Sequence, residues 1–203
     1  MPSYPVFLRL EGRRCLVVGG GRVGRSRAAG LREAGASVTV VEPRPGPALR
    51  DLDGVEILAR GFDDHDCDGM ALVFACTDVE DVNAGVLRAA GAAGALACRA
   101  DSAQSGDFTT PAVLRRGEVC VAVSSGASSP ALAARLRDDL AVHVGDEYAR
   151  AAELLGAARR RLAAAGASRD ALASVLEAGF LELLRQGRAD EAATMLEEAT
   201  CTR

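Results

Sequence analysis

At 203 residues and 49% apolar content, the chain is long enough to bury one or two cores, and no segment reaches the about 18 unbroken apolar residues of a membrane helix. A net charge of −4 with 3% aromatic residues argues against nucleic-acid binding, either through a basic field or through base stacking. All 24 basic residues are arginine, which excludes a Walker lysine, a Schiff-base lysine and a Tyr-x-x-x-Lys pair, and leaves anion recognition by charged side chains to the planar guanidinium fork.

Met1-Pro2-Ser3-Tyr4-Pro5 shows no basic segment followed by an apolar one, so no secretory signal is read and a cytoplasmic location is expected. Tyr4 to Leu10 is apolar enough for a lead-in strand, and Glu11 to Arg14 for a turn. The apolar run Cys15-Leu16-Val17-Val18 then enters Gly19-Gly20-Gly21-Arg22-Val23-Gly24. Gly19, Gly21 and Gly24 occupy the three glycines of G-x-G-x-x-G. The first makes the turn, the second lets the backbone approach a pyrophosphate, and the third lets helix and strand pack closely. The helix that follows offers free N–H groups and a positive dipole end to an anion. It extends to about Ala34 and stops at Gly35.

A second strand, Ser37 to Val41, ends at Glu42, 23 residues after Gly19, where a carboxylate can bind a ribose hydroxyl and disfavour a 2′-phosphate. The pattern predicts NAD as cofactor, with Gly19, Gly21, Arg22, Val23, Gly24, Glu42, Thr77 and Asp78 around it. Arg44, two residues after Glu42, is the one nearby charge that favours NADP. The alternative for the glycine run is a plain turn, and for Thr77-Asp78 a simple strand-to-helix turn.

Pro43 to Pro47 is expected as loop. Val55 to Ala59, Met70 to Cys76 and Ala95 to Arg99 read as strands, with an acidic connection at Phe62 to Asp68 and a helix at Val82 to Ala93. Strands alternating with helices imply a doubly wound parallel sheet, whose ligands sit at the carboxyl ends of the strands. Gly19, Glu42, Thr77-Asp78 and Asp101 all fall there.

The pattern then changes. Phe108 to Leu114 and Glu118 to Val123 read as two strands joined by Arg115-Arg116-Gly117. Ser124-Ser125-Gly126-Ala127-Ser128-Ser129-Pro130 opens a helix, with Ser129 as N-cap and Pro130 in its first turn. From Asp146 onward the sequence is helical, with breaks expected near Gly156, Gly166, Gly179 and Gly187. Leu172, Val175, Leu176, Phe180, Leu183 and Leu184 recur at helical spacing and read as internal packing rather than a partner surface.

The six cysteines show no C-x-x-C spacing and His65 and His143 are the only histidines, so reduced thiols and no metal site are expected.

The order of these pieces resembles the precorrin-2 dehydrogenase family, including the dehydrogenase/ferrochelatase part of siroheme synthases. The resemblance rests on Tyr4-Pro5-Val6-Phe7-Leu8, on Cys15 to Gly21, and on Ala75-Cys76-Thr77-Asp78 with Asn83. It continues through Asp101, Asp107-Phe108-Thr109-Thr110-Pro111-Ala112 and Val121 to Ala133. It covers about residues 4 to 145, and Ser-Ser-Gly-x-x-Ser-Pro is its most specific part. It implies NAD-dependent oxidation of precorrin-2 to sirohydrochlorin on the way to siroheme, in a homodimer. The parts it implies are a Rossmann-type domain at 1–107, a small central α+β dimerisation unit at 108–145, and a helical region at 146–203.

It also implies that Asp101 is the catalytic acid. Family members commonly carry Asn-Val-Val-Asp where this chain has Cys98-Arg99-Ala100-Asp101. Asp78 and Asp107 are competing acids, and a loop aspartate capping nearby N–H groups is the plain alternative. The tetrapyrrole substrate carries acetates and propionates, for which Ser124, Ser125, Ser128, Arg115 and Arg116 are the candidate contacts. Arg22, Arg99 and Arg135 are further arginines of the same kind. Solvated surface arginines and capping serines are the plain readings of these positions. Two other functions stay open: a bifunctional dehydrogenase/ferrochelatase and a non-enzymatic NAD(H)-sensing domain.

Overall fold

The computed structural model describes residues 3–102, 105–164 and 170–201. The chain forms two compact units, Met1–Thr110 and Pro111–Arg203.

The first unit is a five-stranded parallel sheet in the order β3-β2-β1-β4-β5. Its strands are β1 (Arg14–Val18), β2 (Ser37–Val41), β3 (Val55–Leu58), β4 (Leu72–Ala75) and β5 (Leu96–Arg99). The helices are α1 (Arg22–Glu33), the short α2 (Pro47–Arg50) and α3 (Glu80–Ala92), and a 3-10 turn spans Asp64–Cys67. The strands read as continuous apolar runs because both faces are covered. Alternation along β1 sends Leu16 and Val18 to one face with Val73, Ala75, Val86 and Ala90, and Cys15 and Val17 to the other with Val40, Phe74, Ala28 and Leu31. Each fully buried Val or Leu contributes about 1.5–3 kcal/mol. The chain order reverses between β1 and β4, which opens the crevice at their carboxyl ends.

Helix α1 ends as the sequence predicts. Gly35 takes φ +80°, its N–H reaches Arg32 O at 2.9 Å and the Ala36 N–H reaches Leu31 O at 3.1 Å, the paired bonds of a Schellman ending. Three local expectations are corrected. Residues 4–10 form no strand: both flanks of β1 are taken by β2 and β4, and Tyr4, Val6 and Phe7 stand exposed. The Pro43–Pro47 loop ends one residue early, because Pro47 needs no N–H partner and starts α2. Residues 108–111 are not strand either. Phe108 turns edge-on to Phe74 with ring centroids 5.3 Å apart, and Pro111 has no N–H for a ladder.

The second unit begins with the antiparallel hairpin of β6 (Ala112–Arg116) and β7 (Val119–Val123), so Arg115 and Arg116 lie within the strand rather than in its turn. Helix α4 (Pro130–Ala141) follows, with Ser129 Oγ accepting from the Leu132 N–H at 3.2 Å as its cap. Helices α5 (Asp146–Ala164), α6 (Asp170–Glu177), α7 (Phe180–Arg185) and α8 (Ala189–Cys201) complete it. Val175, Phe180 and Leu184 are buried with Ala158, Ala192 and Leu196, with Leu172 and Leu183 packed against them; Leu176 is exposed. Gly179 and Gly187 break the helices at positive φ, whereas α5 runs through Gly156 without a break, since one glycine is tolerated in a 19-residue helix. The break expected at Gly166 lies outside the described residues.

Candidate functional site

The site is built from the carboxyl ends of β1, β2, β4 and β5. Gly19 sits at φ +103°, and a Cβ there would lie 2.7 Å from the Cys76 carbonyl group and 2.9 Å from Thr77 N. The turn therefore passes against the end of β4 only as glycine. A Cβ at Gly24 would fall on the Gly19 carbonyl oxygen, so the third glycine seats α1 against the loop. Gly21 differs from both. It is the N-cap of α1 in extended backbone, and a Cβ there would meet nothing within 4 Å. The fold itself therefore sets no steric requirement for glycine at position 21.

The α1 start carries no side-chain cap and no acid in its first turn, and Arg22 is its first residue. Free N–H groups, the dipole and an arginine together make an anion seat. Val23 stands in the same turn, partly exposed.

Glu42 closes the second side. Its Oε2 accepts the Gly20 N–H at 2.8 Å and its Oε1 accepts the Arg44 N–H at 3.0 Å. Both oxygens are thus oriented by backbone, each with a further lone pair for a ribose hydroxyl. A Cβ at Gly20 would lie 2.5 Å from Leu49 and 2.9 Å from Glu42 Cγ, so Leu49 first and the acid second crowd the middle glycine of the run. The glycine motif assigns no role to that position, and only the fold reveals it.

At the end of β4, Asn83 is fully buried. Its Oδ1 accepts the Thr77 hydroxyl at 2.7 Å and the Thr77 N–H at 3.2 Å, and its Nδ2 donates to the Thr77 carbonyl at 2.9 Å. Asn83 locks the turn that carries Thr77 and the exposed Asp78. The signal that points to it in the sequence is a lone polar residue on the apolar stripe of α3.

At the end of β5, Arg99 grips Asp101, with Nε to Oδ1 at 2.9 Å and Nη2 to Oδ2 at 2.7 Å. That cation first, then the residue's own backbone N–H and last the Asn83 side chain, hold the Asp101 carboxyl below its usual range. Asp107 is committed elsewhere: its Oδ2 accepts the Ala97 N–H at 2.9 Å, so it pins the returning chain to β5. Burial pushes the Cys76 thiol, beside the glycine turn, up to about 12.

In the second unit, Ser125 Oγ donates to the Ser129 carbonyl at 2.8 Å and accepts the Ser129 N–H at 3.1 Å, while Ser124 Oγ accepts the Gly126 N–H at 3.2 Å. Those hydroxyls order their own loop, and Ser128 stands exposed beside them. Arg115 and Arg116 are successive strand residues, so they project from opposite faces. Arg116 lies 3.6 Å from Asp146, and Arg115 is exposed. The two arginines do not converge on one point.

Comparison with known proteins adds the family. The siroheme synthase of Thioalkalivibrio sulfidiphilus is 39% identical over 206 residues, a match covering 98% of this chain and 42% of that protein. That of Nitrosococcus oceani is 36% identical, covering 98% of this chain and 44% of that protein. The chain thus spans well under half the length of these relatives. A solved structure described as SirC, precorrin-2 dehydrogenase, superposes with a TM-score of 0.76 at 24% identity, covering 97% of this chain and 100% of that one, which establishes a shared fold. Residues 6–112 match the family described as putative NAD(P)-binding. Because that match runs across more than half of the chain, from the lead-in segment to the start of β6, this protein belongs to the putative NAD(P)-binding family.

Proposed function

We propose that the chain oxidises precorrin-2 to sirohydrochlorin with NAD as hydride acceptor, a step of siroheme synthesis. The observation that carries this reading is the meeting, at one end of a parallel sheet, of an open anion seat at Gly21, an oriented acid at Glu42 and a half-exposed carboxylate at Asp101. The names of the similar proteins, siroheme synthase and precorrin-2 dehydrogenase, supply the substrate class.

Gly19, Gly21, Arg22, Val23 and Gly24 would hold the dinucleotide phosphates, Glu42 its adenosine ribose, and Thr77 and Asp78 its far half. When bound, NAD supplies the acceptor for one hydrogen and its electron pair. The second hydrogen leaves the substrate as a proton, and Asp101 accepts it at a carboxylate oxygen. Ionised Asp101 suits that role, because a base must be unprotonated before it acts. Ser124, Ser125, Ser128, Arg115 and Arg116 are proposed to meet the substrate carboxylates.

Residues 1–107 act in this reading as the cofactor domain, 108–145 as the dimer contact and 146–203 as a helical region with its own core. Leu132, Leu136 and Val142, exposed on α4 and just beyond it, supply apolar surface for a homodimer. A cytoplasmic site of action belongs to the same reading; no described helix is long and apolar enough to cross a membrane.

The test is anaerobic incubation with precorrin-2 and NAD, following NADH and the tetrapyrrole spectrum together. One NADH per sirohydrochlorin supports the reading. Bound nucleotide without NADH would replace it with an NAD(H)-sensing role, and ferrous ion added after oxidation tests chelation.

A further inference from the structure

We propose that Arg99 is the positioning residue for Asp101, fixing the plane of its carboxylate and holding it ready to accept a proton. This deepens the oxidation reading and rests on it.

The geometry has three parts. The bond is bidentate, with both guanidinium donors engaged at 2.9 and 2.7 Å, which fixes direction as well as distance. The pair is also asymmetric in exposure. The Arg99 side chain is only 13% exposed, whereas that of Asp101 is 48% exposed, so the cation is embedded and the anion faces outward. Finally, Arg99 is anchored: it is the last residue of β5, in register with Ala75 of β4.

Arg99 also lies 3.7 Å from Glu80 in the first turn of α3, an acid that is 83% exposed and so well solvated. The described groups that act on Asp101 or feel its charge are therefore Arg99 from β5, Asn83 from α3 and the neutral Cys76 thiol just past β4, while Glu80 of α3 faces Arg99. Among the described residues, Arg99 is the cation that acts on Asp101, while Arg27 of α1 acts on the neighbouring Cys76 thiol. With one lone pair of each oxygen spent on the fork, the others remain for the substrate proton. The same cation keeps Asp101 ionised at lower pH than an unpaired aspartate. Asp101 is half-exposed, so the ion pair itself contributes little to stability, and a thermal melt of each variant separates lost packing at the embedded Arg99 from lost function.

The experiment compares the full chain with Arg99→Ala, Arg99→Lys and Asp101→Asn. It measures kcat/KM for precorrin-2 against pH at saturating NAD, NAD affinity by calorimetry, and the carboxyl titration of Asp101 by carbon NMR, assigned with Asp101→Asn. Arg99→Ala is expected to move the acid limb to higher pH and to lower kcat about tenfold, with NAD affinity within about threefold. Arg99→Lys restores the acid limb but only part of kcat, since it returns the charge without the fork.

Superimposable profiles for wild type and Arg99→Ala overturn the proposal, as does full turnover by Asp101→Asn. Absent turnover by the wild type overturns the oxidation reading instead. The NMR titration then decides the clamp: a raised Asp101 midpoint in Arg99→Ala upholds it, and an unchanged one overturns it.

Discussion

The Gly20 N–H donates to Glu42 Oε2 at 2.8 Å, so the acid that would select the ribose also ties the glycine turn to the end of β2. Glu42→Ala is expected to weaken NAD about tenfold and to narrow its advantage over NADP, because both an acceptor and the loop tether are lost. Glu42→Gln keeps one acceptor oxygen and should lose less. Calorimetric titration with each nucleotide checks this, and unchanged affinity for both would remove Glu42 from the site.

Gly21 and Gly24 should part company. At Gly24 an alanine Cβ would drive into the Gly19 carbonyl, which nothing can move without unseating α1. Gly24→Ala is expected to lower stability by about 3 kcal/mol, roughly 6–12 °C in Tm. Gly21→Ala meets open space and permitted backbone, so it costs only about 1 kcal/mol as a poorer N-cap while weakening NAD strongly. Thermal melts with and without NAD separate the two. A large Tm loss for Gly21→Ala would show that the fold, not the ligand, requires that glycine.

What was legible in the sequence was whatever depends on neighbours along the chain. The Gly19–Gly24 turn, the Gly35 helix ending and the Ser129 cap are local, and each stands where its spacing places it. Features needing a partner far away in sequence were not legible. The requirement for glycine at Gly20 comes from Leu49 and Glu42, and the role of Asn83 comes from Thr77 across a turn. Residues 4–10 have strand-like composition yet pair with no strand, since composition does not say which neighbour an apolar segment finds. Arg99 and Asp101 are two residues apart, yet only the bend after β5 turns their side chains together.

Asn83 is expected to matter more for stability than any charged residue nearby. Asn83→Ala strips the Thr77 N–H and carbonyl of their partner and leaves the hydroxyl only Val79, at a cost of about 2–4 kcal/mol. Asn83→Asp faces the Thr77 carbonyl with a second acceptor and should fare no better. Urea denaturation reads both; a loss under about 0.5 kcal/mol would mean that water replaces the amide.

The acid limb of stability carries the signature of Asp66. Its carboxylate takes both the Arg60 guanidinium and the Asp63 N–H, and the Arg60 bond, ahead of any other cause, lowers its pKa from the usual 3.8. A carboxyl lowered on folding adds stability that is fully present above its unfolded value and is lost as pH falls through the folded one. Asp66→Asn should therefore lower stability at neutral pH and flatten the loss between about pH 5 and pH 2. The Asp63 and Asp66 side chains also cap the Asp64–Cys67 turn reciprocally, so the neutral amide keeps part of the cap but not the ion pair. Urea midpoints measured across that range decide it. An acid limb as steep in Asp66→Asn as in wild type would assign the loss to the other carboxylates with lowered values, Asp101, Glu147 and Glu191.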